Sequence, residues 1–198
     1  MDQNPKKVVV LYWTKYGSTR RYAQWIADRT HADLFDVSTF DKSLLAEYAV
    51  VLFGSPVFLG RLRYIRFVKR NWGILSTKRV IIFGVSGIPP DDPRQEKMFQ
   101  TSLPDEIRSK VTCFPLRGAF HYGELSLLDK MLMSGPRIRL QIEVWTKRNQ
   151  EARERMARFF SLLDWTSEAA IEPIVATIDR ISENGGPALG THETHSSW

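Results

Sequence analysis

Between positions 14 and 19 the chain reads Thr14-Lys15-Tyr16-Gly17-Ser18-Thr19, three hydroxyl side chains and a glycine within six residues. The apolar run KVVVLYW at 7–13 precedes them, and residues 19–30 carry Tyr22, Ala23, Ile26 and Ala27 at helical spacing. A turn from strand to helix exposes the first, unpaired N–H groups of the helix, and the helix field there favours negative charge. Thr14, Ser18 and Thr19 could donate further hydrogen bonds without adding fixed charge, and Gly17 lets the backbone come close. The chemistry of such a turn is the gripping of a phosphate. Neither G-x-G-x-x-G nor G-K-[ST] is present, so a terminal monophosphate fits better than a dinucleotide or a triphosphate. An ordinary Ser/Thr helix cap is the competing reading.

The elements that would position this turn are legible around it. Short apolar runs at 7–13, 32–37, 49–55, 79–87 and 111–118 read as five strands. Between them, residues 40–47 read as a short helix or turn. Residues 62–75 repeat Ile65, Val68, Trp72 and Leu75 at helical spacing, and Asp91 or Asp92 with Pro93 could open another helix. Pro104 precedes a further short turn of helix ending near Lys110. Fully apolar strands alternating with helices predict an α/β fold, a parallel sheet covered on both faces. Ligands of such sheets lie beyond the carboxyl ends of the strands, where the loops 14–19, 54–61 and 84–92 would share one rim.

After residue 118 the pattern loosens. Leu125, Leu128, Met131 and Leu132 recur at helical spacing before Gly135-Pro136, residues 138–145 read as an extra strand or an extended segment, and residues 150–163 as a helix. A last helix over 167–181 contains Pro173, which implies a kink or a later start. The expected organisation is a single domain over 1–182 with an insertion at about 119–164, and a flexible tail over 183–198.

Composition limits the function classes. The 198 residues are 43% hydrophobic and 25% charged, ordinary for a soluble globular protein, and no apolar run reaches the roughly 18 residues that cross a bilayer. The start MDQNPKK has no signal-peptide core behind it, which with the single Cys113 gives a cytoplasmic expectation. Cys113 reads as a buried small hydrophobe rather than a nucleophile. The net charge is +6, and the block Arg61, Arg63, Arg66, Lys69, Arg70, Lys78 and Arg79 contains no acid. Such a block is either a solvated face or a surface for anionic small molecules or lipid headgroups. Nucleic acid is not expected, because neither a stacking platform nor a recognition motif accompanies the charge. His192 and His195 lack a third fixed ligand, so no metal site is expected.

The segment YWTKYGSTRRYAQWIA resembles the signature of flavodoxins, whose loop after the first strand reads roughly T-x-T-G-x-T and binds the phosphate of FMN. Thr14, Gly17 and Thr19 fall on the family positions; Tyr16 stands where a hydroxyl residue usually sits. The resemblance implies a flavodoxin-like doubly wound five-stranded parallel sheet of order 2-1-3-4-5, with an extended helical insertion after strand 5. It implies that the loop of Ser55, Pro56, Val57, Phe58 and Gly60 packs on one face of the flavin, with Phe58 in ring contact. The amides around Val85, Ser86 and Gly87 would then meet the pyrimidine edge.

Within that family, FGSPVFLGRLRYIRFVKRN followed by RGAFHYGELSLLDKMLM is similar to the menaquinone-dependent protoporphyrinogen dehydrogenases and their flavodoxin-domain relatives. Gly118, Tyr122, Leu125, Asp129, Lys130, Met131 and Leu132 carry the second part of that likeness, and residues 136–164 depart from it. The likeness implies an FMN-dependent oxidoreductase passing electrons from a reduced organic substrate such as protoporphyrinogen IX to a quinone. Arg61, Arg63, His121 and Tyr122 are its candidate substrate contacts. No catalytic residue is assigned, because the chemistry would be the flavin's. Residues 125–133 could touch a membrane face peripherally, and 136–164 could pair subunits in a homodimer as easily as cover a substrate. Two other readings stay open: an electron carrier with a protein redox partner, and a flavin-free interaction module.

Overall fold

The computed structural model describes residues 7–120 and 163–183. In chain order they form β1 (Val8–Tyr12), α1 (Ser18–Thr30), β2 (Asp33–Asp36), a 3-10 helix (Lys42–Glu47), β3 (Val50–Phe58), β4 (Arg61–Leu62), α2 (Arg66–Arg70) and α3 (Trp72–Leu75). Next come β5 (Arg79–Ser86), α4 (Arg94–Ser102), α5 (Asp105–Arg108), β6 (Val111–Arg117), β7 (Ala119–Phe120), β8 (Leu163–Asp164), a second 3-10 helix (Glu168–Ile171) and α6 (Glu172–Glu183).

The main sheet runs β2-β1-β3-β5-β6 with every pairing parallel. The short β4 pairs antiparallel with β3 off this path. Setting β4 aside, the order is the 2-1-3-4-5 that the resemblance implies, and the fold is the α/β flavodoxin-like sheet. The central strands are apolar at every position because alternate side chains serve two cores. Val9, Leu11, Val51, Phe53, Val80 and Ile82 join the core that also holds Ile65, Val68, Leu75, Met98 and Ile107 from the α2 to α5 side. Val10, Val50, Leu52, Ile81 and Phe83 join the core of α1 and α6, with Tyr22, Ile26, Ile174 and Ile178. Gly54 is required where β3 passes β5, since a Cβ there would collide with the Phe83 ring.

Two local expectations are corrected, and of the two readings of Pro173 the later helix start is the one found. β3 does not end at Ser55 but runs through Pro56 to Phe58, turns at Leu59-Gly60, and returns as β4. Leu59 and Gly60 both have positive φ (50° and 71°), the mark of the tight hairpin turn that matches strand twist. The single helix expected over 62–75 is therefore two short ones. Leu62 is committed to the hairpin, Tyr64 takes φ 54°, and the Asn71 amide bonds back to the Phe67 carbonyl at 2.8 Å between α2 and α3. The apolar spacing still holds, with Ile65, Val68 and Leu75 buried. At the far end a 3-10 turn precedes α6, so Pro173 sits in the first turn of a helix that starts late and reaches Glu183.

Cys113 lies partly buried against the α2 to α5 core, and burial pushes its thiol up to about 12, which keeps it protonated and inert. The chain divides into two compact units, one of residues up to 117 and from 166 on, the other of residues 118–165. Of the second unit the described part is the antiparallel β7–β8 pair, Ala119 opposite Asp164 and Phe120 opposite Leu163. The helices expected over 125–132 and 150–163, the strand over 138–145 and the tail from 184 lie outside the described residues. Among the described residues no helix is long and apolar enough to cross a membrane, and no cluster of His, Cys, Asp and Glu could hold a metal.

Candidate functional site

Because the sheet is parallel, β1, β3, β5 and β6 present their carboxyl ends along one edge, and the three expected loops leave from it. β1 ends at Tyr12, opposite Gly54. The Trp13 N–H then donates to the Gly54 carbonyl at 3.0 Å, which fixes the root of the 14–19 turn to the start of the β3 extension. That extension is tied to the next segment by the ladder, Ser55 opposite Gly84 and Pro56 opposite Val85. Residues 14–19, 54–60 and 84–87, far apart in sequence, are thus joined by specific backbone pairings.

Gly17 is the pivot of the first turn. Its φ is 90°, a left-handed value that an L side chain adopts only with strain, and it stands at the N-cap of α1. The ladder of α1 begins with the Arg21 N–H donating to the Gly17 carbonyl at 3.0 Å, so the N–H groups of Thr19 and Arg20 precede the first helical bond. No acid lies in the first turn of α1, and open space surrounds the position of a Gly17 Cβ. Those features favour an anion in front of the helix.

The hydroxyls divide. Thr14 Oγ1 accepts from the Gly17 N–H at 3.0 Å, so one loop amide is already satisfied by the chain itself. That bond uses a lone pair of Thr14 and leaves its own proton for an outer acceptor. Ser18 is half-buried, while Thr19 is only 1% exposed and packs into the floor of the turn. Lys15 and Gly17 are exposed, and the Lys15 ammonium lies 5.4 Å from the centre of the half-buried Tyr16 ring. Thr14, the N–H groups of Thr19 and Arg20, and the nearby Lys15 charge are the groups that could hold a monophosphate at this turn.

The second segment is a hairpin rather than a loop. Ser55 is fully buried, and its hydroxyl is placed against the Pro56 and Arg63 carbonyls at 3.0 and 2.6 Å. It pins the hairpin base; the Arg63 N–H returns a bond to the Pro56 carbonyl at 3.1 Å. Pro56, Val57 and Phe58 are half-buried and Gly60 is exposed at the tip. The Arg63 guanidinium stands 5.7 Å from the Phe58 ring centre, so a cation already lies over the ring expected to meet the flavin. Arg61 is exposed opposite Phe58.

The third segment begins later than the sequence suggests. Val85 and Ser86 are still in β5, and Ser86 pairs with Arg117 of β6, so the open backbone starts at Gly87. Gln95 of α4, 3% exposed, holds the residues just beyond it in place. Its side-chain amide donates to Ser86 Oγ at 2.9 Å and to the Ile88 and Pro89 carbonyls at 3.0 and 3.2 Å, while the Ile88 N–H donates to Ser86 Oγ at 3.2 Å. His121 and Tyr122 lie outside the described residues.

Sequence reasoning missed two members of this region. Gln95 reads as one more polar residue on an amphipathic helix, and only its burial reveals the role. Trp13 stacks on Tyr64 with ring centres 5.0 Å apart and planes at 18°, a long-range contact that no local pattern announces.

The family model described as Flavodoxin domain matches residues 9–137. An uncharacterized protein of Methanocaldococcus jannaschii is 26% identical over 135 residues, which span 66% of this chain and 87% of that protein. A WrbA-like flavodoxin from Agrobacterium tumefaciens is 21% identical with a TM-score of 0.38 over 42% of this chain, and the match spans 62% of that protein's length. The two-electron reduced flavodoxin of Megasphaera elsdenii is 21% identical, TM-score 0.39, over 55% of this chain and 82% of that one. The Trp repressor binding protein of Bacillus subtilis is 15% identical, TM-score 0.42, over 57% and 83%.

Proposed function

Because this chain belongs to the flavodoxin-domain family, we propose that residues 14–19 bind the phosphate of FMN and that the protein is an FMN-dependent oxidoreductase. The observation that carries the reading is the left-handed Gly17 at the head of α1, with the Thr14 hydroxyl beside it and no acid in the first turn. Bound flavin would supply hydride or electron transfer. The chain supplies grip and orientation. Thr14 and the N–H groups of Thr19 and Arg20 hold the phosphate, Val57 and Phe58 offer an apolar face, and Gly87 offers backbone at a height set by Gln95.

The specific reaction proposed is transfer from a reduced organic substrate, protoporphyrinogen IX in the first instance, to a quinone-type acceptor. The exposed Arg61 and Arg63 beside Phe58 support an anionic substrate over the protein partner of a one-electron carrier. We place this activity in the cytoplasm, with a peripheral membrane contact through residues 125–133. The flavin-free alternative draws its support from the Thr14–Gly17 bond, by which the turn satisfies one of its own amides.

Titration with FMN and with riboflavin tests the proposal. Wild-type protein should bind FMN more tightly than riboflavin and take on the visible absorbance of oxidised flavin. Thr14→Val should weaken FMN about ten- to a hundredfold, the worth of roughly 1.5–3 kcal/mol for a hydrogen bond to a charged group. Riboflavin affinity should stay the same. Equal loss for both ligands, or protein that stays colourless with added FMN, would refute it.

A further inference from the structure

Beside the β3–β4 hairpin, on the α2 side of the sheet, a cleft of about 860 Å³ opens between the turn after β2 and the stretch from Leu62 to Asn71. Its volume is that of a small-molecule site. The apolar part is aromatic: Phe40 meets Phe67 edge-on with ring centres 6.4 Å apart, and Phe67 lies parallel to Phe53 at 6.3 Å. Tyr64 closes one side, 47% exposed and held by its stack on Trp13.

The charged part is positive. Lys42, Arg63, Arg66 and Arg70 line the cleft against one carboxylate, Asp41. Asp41 accepts from the Ser43 N–H at 2.9 Å and caps the 3-10 helix; that bond holds its carboxyl below its ordinary value, so it stays ionised and offsets one of the four positive charges. None of the four cations forms an ion pair among the described residues, although the Lys42 charge acts on its neighbour Asp41. Among the same residues Lys7, Arg29, Arg94 and Arg108 are ion-paired while the exposed Arg61, Lys69, Lys97 and Lys110 are not, so what marks the cleft is the gathering of four cations round one aromatic wall. Arg66 and Arg70 are four apart on α2, so they project from one face about a helical turn from each other. Four cations against one carboxylate beside an aromatic wall raise the local potential for anions and offer a flat surface to stack on.

We propose that this cleft is a binding site for a planar aromatic small molecule bearing two or more anionic groups. The ring system lies against Tyr64 and Phe67, and the anionic groups meet Arg63, Arg66 and Arg70. The site uses none of residues 14–19 or 84–87, so it stands whether or not the first turn holds a flavin phosphate.

The test uses the full chain and fluorescence anisotropy of 1,3,6,8-pyrenetetrasulfonate, with neutral 1-pyrenemethanol as comparison. Wild-type protein should bind the tetrasulfonate, weakening as salt rises, and should bind the neutral pyrene far less. Arg66→Gln with Arg70→Gln should weaken the tetrasulfonate tenfold or more, and Arg63→Gln alone about threefold. Lys97→Gln with Lys110→Gln removes the same charge from exposed sites on α4 and before β6 and should leave affinity unchanged. Thr14→Val should also leave it unchanged, which separates failure here from failure of the flavin reading. Unaltered affinity in the arginine variants, equal loss in the lysine variant, or equal binding of neutral pyrene would each overturn the proposal.

Discussion

Replacing Gln95 by leucine removes the buried side chain by which α4 holds Ser86, Ile88 and Pro89, while nearly keeping its volume. The side-chain amide carries two protons and serves three acceptors, Ser86 Oγ, Ile88 O and Pro89 O, so one proton is shared. Ser86 is 8% exposed, and the Ile88 N–H still donates to it after the change. Ile88 and Pro89 are only half-buried, so water can reach their carbonyls in part. Counting two hydrogen bonds at a net worth of roughly 1 kcal/mol each, the variant should lose about 2 kcal/mol. For a chain of this size that is a fall in Tm of about 4–8 °C. Urea unfolding followed by circular dichroism measures it, with the slope expected to stay constant because the surface exposed on unfolding does not change. Gln100 is the control on the same helix: exposed, bonded only to Glu96 at 2.8 Å, its leucine variant should stay within about 0.5 kcal/mol of wild type. Equal effects at 95 and 100, or a loss at 95 below about 0.5 kcal/mol, would refute the claim that this contact organises the segment.

Gly54→Ala should destabilise by about 1–3 kcal/mol through collision with the Phe83 ring, and Phe83→Leu in the same chain should recover part of the loss in a double-mutant cycle on unfolding midpoints. Tyr22→Phe keeps a fully buried ring but removes the hydroxyl that donates to the Arg117 carbonyl at 2.7 Å and accepts the Ser167 N–H at 3.2 Å; a loss of about 1–3 kcal/mol in urea unfolding is expected. Asp92 is held from 3.8 down to about 2 by its hydrogen bonds to the Arg94 side chain and N–H. A carboxyl lowered on folding stabilises above its unfolded value and loses that contribution as pH falls, so Asp92→Asn should flatten the unfolding-midpoint profile between about pH 4 and 2.

Parallel strands were readable because each central strand faces two cores and so carries apolar side chains at every position, as VVVLY and VVLF do; their order came from the flavodoxin resemblance. The turn at 14–19 was readable for a similar reason: hydroxyls, glycine and helix onset are contiguous. What escaped was nonlocal or conformational. Gly54, Ser55 and Pro56 suggested the end of a strand, yet β3 continues by pairing with β4, which is only two residues long and leaves no pattern of its own. At the split between α2 and α3 the Asn71 side-chain amide joins its own backbone N–H on the Phe67 carbonyl, a local arrangement that periodicity does not register. Gln95 was invisible because burial of a polar helix residue depends on which acceptors its neighbours leave open.

The Tyr22 hydroxyl has a topological meaning beyond its strength. One phenol oxygen touches the last carbonyl before the chain departs at residue 118 and an amide just after it comes back at residue 166. Departure and return are therefore neighbours, and the sheet-and-helix body does not depend on how long the excursion is. A short Gly/Ser bridge in its place should leave that body folded, which makes this junction a natural splice point for exchanging one cassette for another.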